Sequence, residues 1–93
     1  MPKTDPNRST RYTTLLELKP KESAWVRDIQ GEQEMRRHLL DLGFVPGSRV
    51  TAIRRSPFGD PTVYEIRGTM IALRKEQASQ IRIIGSQSAR RRK

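Results

Sequence analysis

Cysteine is absent from this chain of 93 residues, which excludes a disulfide framework, a thiolate metal site and a thiol nucleophile while leaving the redox compartment open. Histidine occurs once, as His38, and no glycine-rich loop ends in Lys-Ser or Lys-Thr to cradle a phosphate. With so few chemistry-bearing groups, no enzyme and no cofactor are expected. Aromatics are limited to two Phe, two Tyr and one Trp, short of the interleaved stacking platform that a binder of single-stranded nucleic acid uses. No stretch approaches the roughly 20 apolar residues of a membrane span, and the N-terminus has no apolar signal-peptide core. The expectation is a soluble cytoplasmic protein.

What is present is charge, at 31% of residues with a net of +9. Its distribution decides what it means. Residues 1–14 carry Lys3, Arg8 and Arg11 against Asp5, and residues 85–93 carry Arg90, Arg91, Arg92 and Lys93 with no acid. Between them twelve Lys or Arg face nine Asp or Glu, so the excess sits mostly at the two ends. Both ends are polar and lack hydrophobic periodicity, the pattern of a flexible arm over 1–14 and a basic flexible tail over 85–93. The remaining residues, 15–84, suit one small domain with a single modest core.

Within that domain "LLELKPKES" reads as a turn of helix or an extended entry ending at Pro20. Ala24 to Ile29, "AWVRDI", is apolar and β-branched enough for a strand. The segment "EQEMRRHLLDL" is the one clear helix, because Met35, Leu39 and Leu42 recur at i, i+4 and i+7 with Leu40 at the flank. Glu32 and Glu34 near its start complement the helix dipole. Gly43 stands where the last turn needs a left-handed residue, which places Phe44 to close over Leu39 in a Schellman ending. Val45-Pro46-Gly47-Ser48 matches a type II turn. Leu39, Leu42 and Phe44 are expected in the core, and Leu39→Ala is expected to cost roughly 2–5 kcal/mol.

Further along, "RVTAIRR", "TVYEIR", "TMIALR" and "QIRII" read as strands, "SPFGDP" as a loop, Gly68 as a tight-turn residue and "KEQAS" as a single helical turn. The expected architecture is mainly β: about five short strands with one α-helix between strands 1 and 2, in a small, partly open barrel.

Two constellations carry possible chemistry. Glu34, His38 and Asp41 share one helix face and have ligand types suited to ferrous iron; the same residues also make an ordinary solvated face opposite Met35, Leu39 and Leu42, and that reading is adopted. Arg36, Arg37, Arg54, Arg55 and the terminal basic run offer an electrostatic surface for nucleic acid, anionic lipid or an acidic protein, or simply solubility. Phe58 lies between Pro57 and Gly59 at a loop tip, where an aromatic is either folded back onto the barrel or held out as a binding anchor. Trp25 is expected in core or rim packing.

The ordered segments "LLELKPKESAWV", "RRHLLDLGFVPGSRV" and "RRSPFGDPTVYEIRGTMIALRKEQASQIRI" together resemble the FeoA family, small accessory proteins of bacterial ferrous iron transport. The resemblance runs from about Leu15 to Ile84. It is carried by Leu42-Gly43-Phe44-x-Pro46-Gly47, the Pro57-x-Gly59-Asp60-Pro61 loop, and Arg67-Gly68 followed by Ile71-x-Leu73-Arg74. It implies an SH3-like barrel and a FeoB-like membrane iron transporter as partner, met through a cytosolic region that contains a GTP-hydrolysing domain. One departure is Lys21, where members commonly carry glycine; a type I turn would accept lysine there. The expected function is docking on that transporter to support its assembly or gating, with Phe58, Arg54 and Arg55 as partner-binding residues and Leu39, Leu42, Gly43, Phe44, Pro46, Gly47 and Gly68 as structural ones. The alternatives are a nucleic-acid-binding module using the basic tails, or a regulatory domain related to metal-responsive repressors, in which the same small domain also occurs.

Overall fold

The computed structural model describes residues 13–88. Six strands form one antiparallel sheet in the order β1-β6-β2-β3-β4-β5. They are β1 (Thr13–Thr14), β2 (Glu22–Ile29), β3 (Arg49–Arg55), β4 (Thr62–Ile66), β5 (Thr69–Leu73) and β6 (Ile81–Ser88). A 3₁₀ turn, Leu15–Glu17, follows β1, helix α1 spans Gln33–Leu42, and the single turn α2 spans Lys75–Ala78. The long helix therefore lies between β2 and β3, since Thr13–Thr14 add a short first strand opposite Ile83 and Arg82. The sheet also takes in residues 13–14 and 85–88, which composition assigns to the tails, because ladder hydrogen bonds use backbone groups that polar residues possess equally. The rest of the arm and tail lies outside the described residues.

The core is drawn from alternate positions of the strands. Ala24, Val26, Val50, Ala52, Tyr64, Ile66, Ile81 and Ile83 are buried on one face, and Leu15, Leu18, Leu39, Phe44, Leu73 and Ala78 close the barrel from its turns and helices. The Tyr64 hydroxyl donates to the Leu15 carbonyl at 3.2 Å, giving this buried phenol a partner. Burial holds its pKa above the ordinary phenol value.

Helix α1 ends as its sequence dictates. Gly43 takes φ +114°, its N–H bonds to the carbonyl of Leu40 and that of Phe44 reaches Leu39, which is the hydrogen-bond pair of a Schellman motif. Leu39 and Phe44 are fully buried, whereas Leu42 is half-buried at the rim with Met35 and Leu40. Leu42 thus supports the core from its margin, because a ten-residue helix over a small barrel turns only a narrow stripe fully inward. The following turn closes from Ser48 N–H to the Val45 carbonyl at 3.0 Å, and Val26 on β2 holds it from the side by bonds to Gly47 and Ser48.

The corner at Lys19-Pro20-Lys21-Glu22 differs from the type I expectation. Glu22 N–H bonds to the Lys19 carbonyl and Lys21 adopts φ +77°, so Lys21 occupies the third position of a type II turn. The left-handed backbone survives without glycine because both neighbours fix it: Lys21 N–H bonds to the Ala52 carbonyl at 2.7 Å, and the Glu22 carboxylate accepts from Lys19 N–H.

Candidate functional site

The segment 56–61 joining β3 to β4 is built to hold a projecting tip. Gly59 N–H bonds to the Ser56 carbonyl, with Pro57 second and Phe58 third in the turn, and Ser56 Oγ accepts from Asp60 N–H at 3.0 Å. Asp60 braces the loop from below: its carboxylate accepts from the Lys75 backbone N–H at 2.9 Å, opening α2, and lies 3.8 Å from the Arg74 guanidinium. Phe58 stands at the tip and is 95% exposed. The ring is therefore held out from the barrel.

Arg54 and Arg55 end β3 beside this loop. Arg54 is exposed and faces Val63 across a β-bulge. Arg55 is exposed too, but its Nη2 donates to the Leu18 carbonyl at 3.4 Å, which ties it to the segment after the 3₁₀ turn. Next to them an open depression of about 180 Å³ is walled by Leu16, Arg55, Asp60, Tyr64, Leu73 and Ala78, among others. Leu16 is 41% exposed there. Sequence reasoning did not find Leu16 or this groove, because nothing in "LLEL" says which leucine the 3₁₀ turn rotates outward.

On the outer face of the sheet, Trp25 pairs with Arg49 on β3 and Ile84 on β6. The Arg49 guanidinium carbon lies 5.9 Å from the indole centroid, within cation–π range. Trp25 is half-buried, which places it at the rim of the two positions expected, core or rim, and it covers Gly85, where an added Cβ would come within 3.0 Å of the ring. Beyond it on β2, Asp28 accepts two bonds of 2.7 Å from the Arg82 guanidinium. That bidentate bond holds the Asp28 pKa below the ordinary carboxylate value against a smaller opposing effect of burial.

Glu34, His38 and Asp41 are all exposed on α1. Among the described residues no group of three or more His, Asp or Glu side chains is arranged to hold a metal ion. Arg36 and Arg37 are exposed on the same helix, Pro46 and Gly47 lie exposed in their turn, and Gly68 shares with Arg67 the two positive-φ positions of the β4–β5 hairpin. Arg90 to Lys93 lie outside the described residues. No helix among the described residues is long and apolar enough to cross a membrane.

A partly open antiparallel barrel with one inserted helix, a braced aromatic loop and basic strand ends defines a small SH3-like domain. The chain belongs to the FeoA domain family, whose profile matches residues 13–84. It is 32% identical over 69 residues to a fusion of Fe(2+) transport protein A with the Fe(2+) transporter FeoB from Porphyromonas gingivalis, covering 74% of this chain and 8% of that much longer protein. The FeoA-like protein of Clostridium acetobutylicum superposes with a TM-score of 0.75 at 32% identity, covering 81% of this chain and 87% of that one. FeoA of Stenotrophomonas maltophilia, solved in complex with zinc, matches with a TM-score of 0.74 at 29% identity over 82% of this chain and 96% of that one. That protein is described as a procaryotic SH3 domain protein and a candidate activating factor for ferrous iron transport.

Proposed function

We propose that this FeoA-family chain acts by binding, without catalysis, in ferrous iron uptake: it docks in the cytoplasm on the cytosolic part of a FeoB-like transporter and supports its assembly or gating. The observation that carries the reading is the fused relative, in which a matching segment and a FeoB transporter share one polypeptide. Fusion enforces proximity at high effective concentration, which is useful where the two parts work together.

Phe58 is the proposed anchor. An aromatic held 95% exposed on a braced loop leaves apolar area in water that a partner pocket would cover. Arg54 adds a charge free to reach an acidic rim, while Arg55, bonded to Leu18, serves more to fix the loop's base. The test is affinity capture of the transporter from detergent-solubilised membranes of the native organism, using full-length wild type and Phe58→Ala with Arg54→Ala. The expected result is transporter enrichment that falls at least tenfold in the double variant. Equal capture by both would overturn the site, and no capture by either would overturn the docking role.

A further inference from the structure

Strand β5, Thr69–Leu73, forms one edge of the sheet. On its inner side it pairs with β4 in unbroken register, from Ile66 opposite Thr69 to Thr62 opposite Leu73. Among the described residues its backbone makes no hydrogen bond beyond that ladder. At the opposite edge, β1 contributes Thr13 and Thr14 among the described residues.

Exposed sheet edges are normally blunted by charged residues, proline or a bulge, because a row of unpaired amides and carbonyls templates another strand. In a chain with 31% charged residues, Thr69-Met70-Ile71-Ala72-Leu73 contains no charge and no proline, and its pairing shows no bulge. Thr69, Met70 and Ala72 are exposed, Met70 at 59%. The groove adjoining the C-terminal end of this strand has Leu16 as its exposed apolar wall, with Tyr64, Leu73 and Ala78 at its floor and Arg55, Asp60 and Lys75 at its rim. Charge returns at the flanks and is mainly basic, Arg67 before the strand and Arg74 and Lys75 after it, with Asp60 3.8 Å from the Arg74 guanidinium and Glu76 next along the chain.

We propose that β5 is a strand-addition site that takes an extended segment of another protein, apolar at alternate positions and acidic at its ends. Main-chain bonds along the edge would supply binding, and the groove by Leu73 would receive one apolar side chain, the division of labour seen when peptides extend a sheet. The flanking charges select the occupant. A second copy pairing antiparallel about Ile71 would set Arg67 against Lys75 of that copy, and a parallel copy would set Arg74 against Arg74. These residues lie in the turn before β5 and at the start of α2, beyond the ladder, and like charges gathered at the two ends of the pairing disfavour both arrangements. Acidic ends reverse the sign in either strand direction. This inference does not rest on the transporter reading, since any protein presenting such a segment fits.

The test is selection of displayed random eight-residue peptides on the full-length chain, followed by amide shift mapping with the best synthetic peptide and with its counterpart carrying lysines for the terminal acids. Expected are peptides with alternating apolar residues and Asp or Glu at the ends, saturable shifts centred on residues 69–73, and at least tenfold weaker binding of the lysine counterpart. No enrichment, shifts centred elsewhere, or equal binding of the two peptides would overturn the proposal. Concentration-dependent shifts at 69–73 in the chain alone would assign the edge to a second copy and overturn it as well.

Discussion

Two backbone positions carry the same conformational cost with opposite residues, and exchanging them should move stability in opposite directions. Gly43 holds φ +114° at the end of α1, and a Cβ placed there would meet Arg67 Cδ and Ile66 Cγ2 at 3.7 Å, an ordinary contact. Gly43→Ala is therefore penalised by backbone conformation alone. A left-handed L-residue costs roughly 1–2 kcal/mol, and φ this large favours the upper end, while reduced freedom of the unfolded chain returns about 0.4–1 kcal/mol. The expected net loss is about 1 kcal/mol. Lys21, at φ +77°, is the converse. Lys21→Gly relieves the same roughly 1–2 kcal/mol and adds unfolded-state freedom of about 0.5–1 kcal/mol, for an expected gain of about 0.5–1 kcal/mol. Urea unfolding followed by the fluorescence of Trp25, the sole tryptophan, resolves both. With a slope near 1 kcal/mol/M for so small a domain, the midpoint should fall by about 1 M in Gly43→Ala and rise by about 0.5–1 M in Lys21→Gly. A Gly43→Ala variant as stable as wild type, or a destabilised Lys21→Gly, would refute the account of these two corners.

Other consequences follow from burial and pairing. Leu39 is fully buried under the α1 ending, so Leu39→Ala should cost roughly 2–5 kcal/mol in the same urea assay, and a loss below about half a kcal/mol would dismantle that corner. The Asp28 carboxyl is held below its ordinary pKa of 3.8 by Arg82, so its pairing contributes fully above about pH 4 and is lost as pH falls through the lower folded-state value. Stability measured from pH 6 down to pH 2 should therefore drop less steeply in Arg82→Gln than in wild type; parallel curves would show the pair to be without effect. Phe58→Ala should leave the unfolding free energy in urea within about 0.5 kcal/mol of wild type, because the exposed ring has no packing to lose. A larger shift would mean that the ring folds back onto the barrel in solution.

Sequence and structure divided the work along physical lines. The α1 ending was legible because its steps are local: the apolar spacing of Met35, Leu39 and Leu42, the Schellman bonds at Gly43 and Phe44, and the Ser48-to-Val45 closure around Pro46-Gly47 join residues at most five apart, and β2 only adds bonds from Val26 to a turn already signalled. The four strands after α1 were legible as runs, and Arg49–Arg55 was legible to the residue. Leu42 was placed too deep, since periodicity assigns a face but not how far that face sinks. Lys21 was misjudged because proline followed by lysine is compatible with more than one turn, and the bond from Lys21 to Ala52, 31 positions away, decides between them.

By itself the sequence determined a small barrel with one helix, a loop bearing Phe58 and the absence of thiol chemistry, because composition and local backbone preference are properties of the chain. Tertiary structure alone decided that Phe58 stands clear of the barrel, that Arg55 is tied to Leu18, that Leu16 and Leu73 share a groove, and that "TMIAL" lies at an open edge. Each of these depends on which distant strand or turn arrives beside it, and that arrangement is fixed by shared burial of the core as a whole.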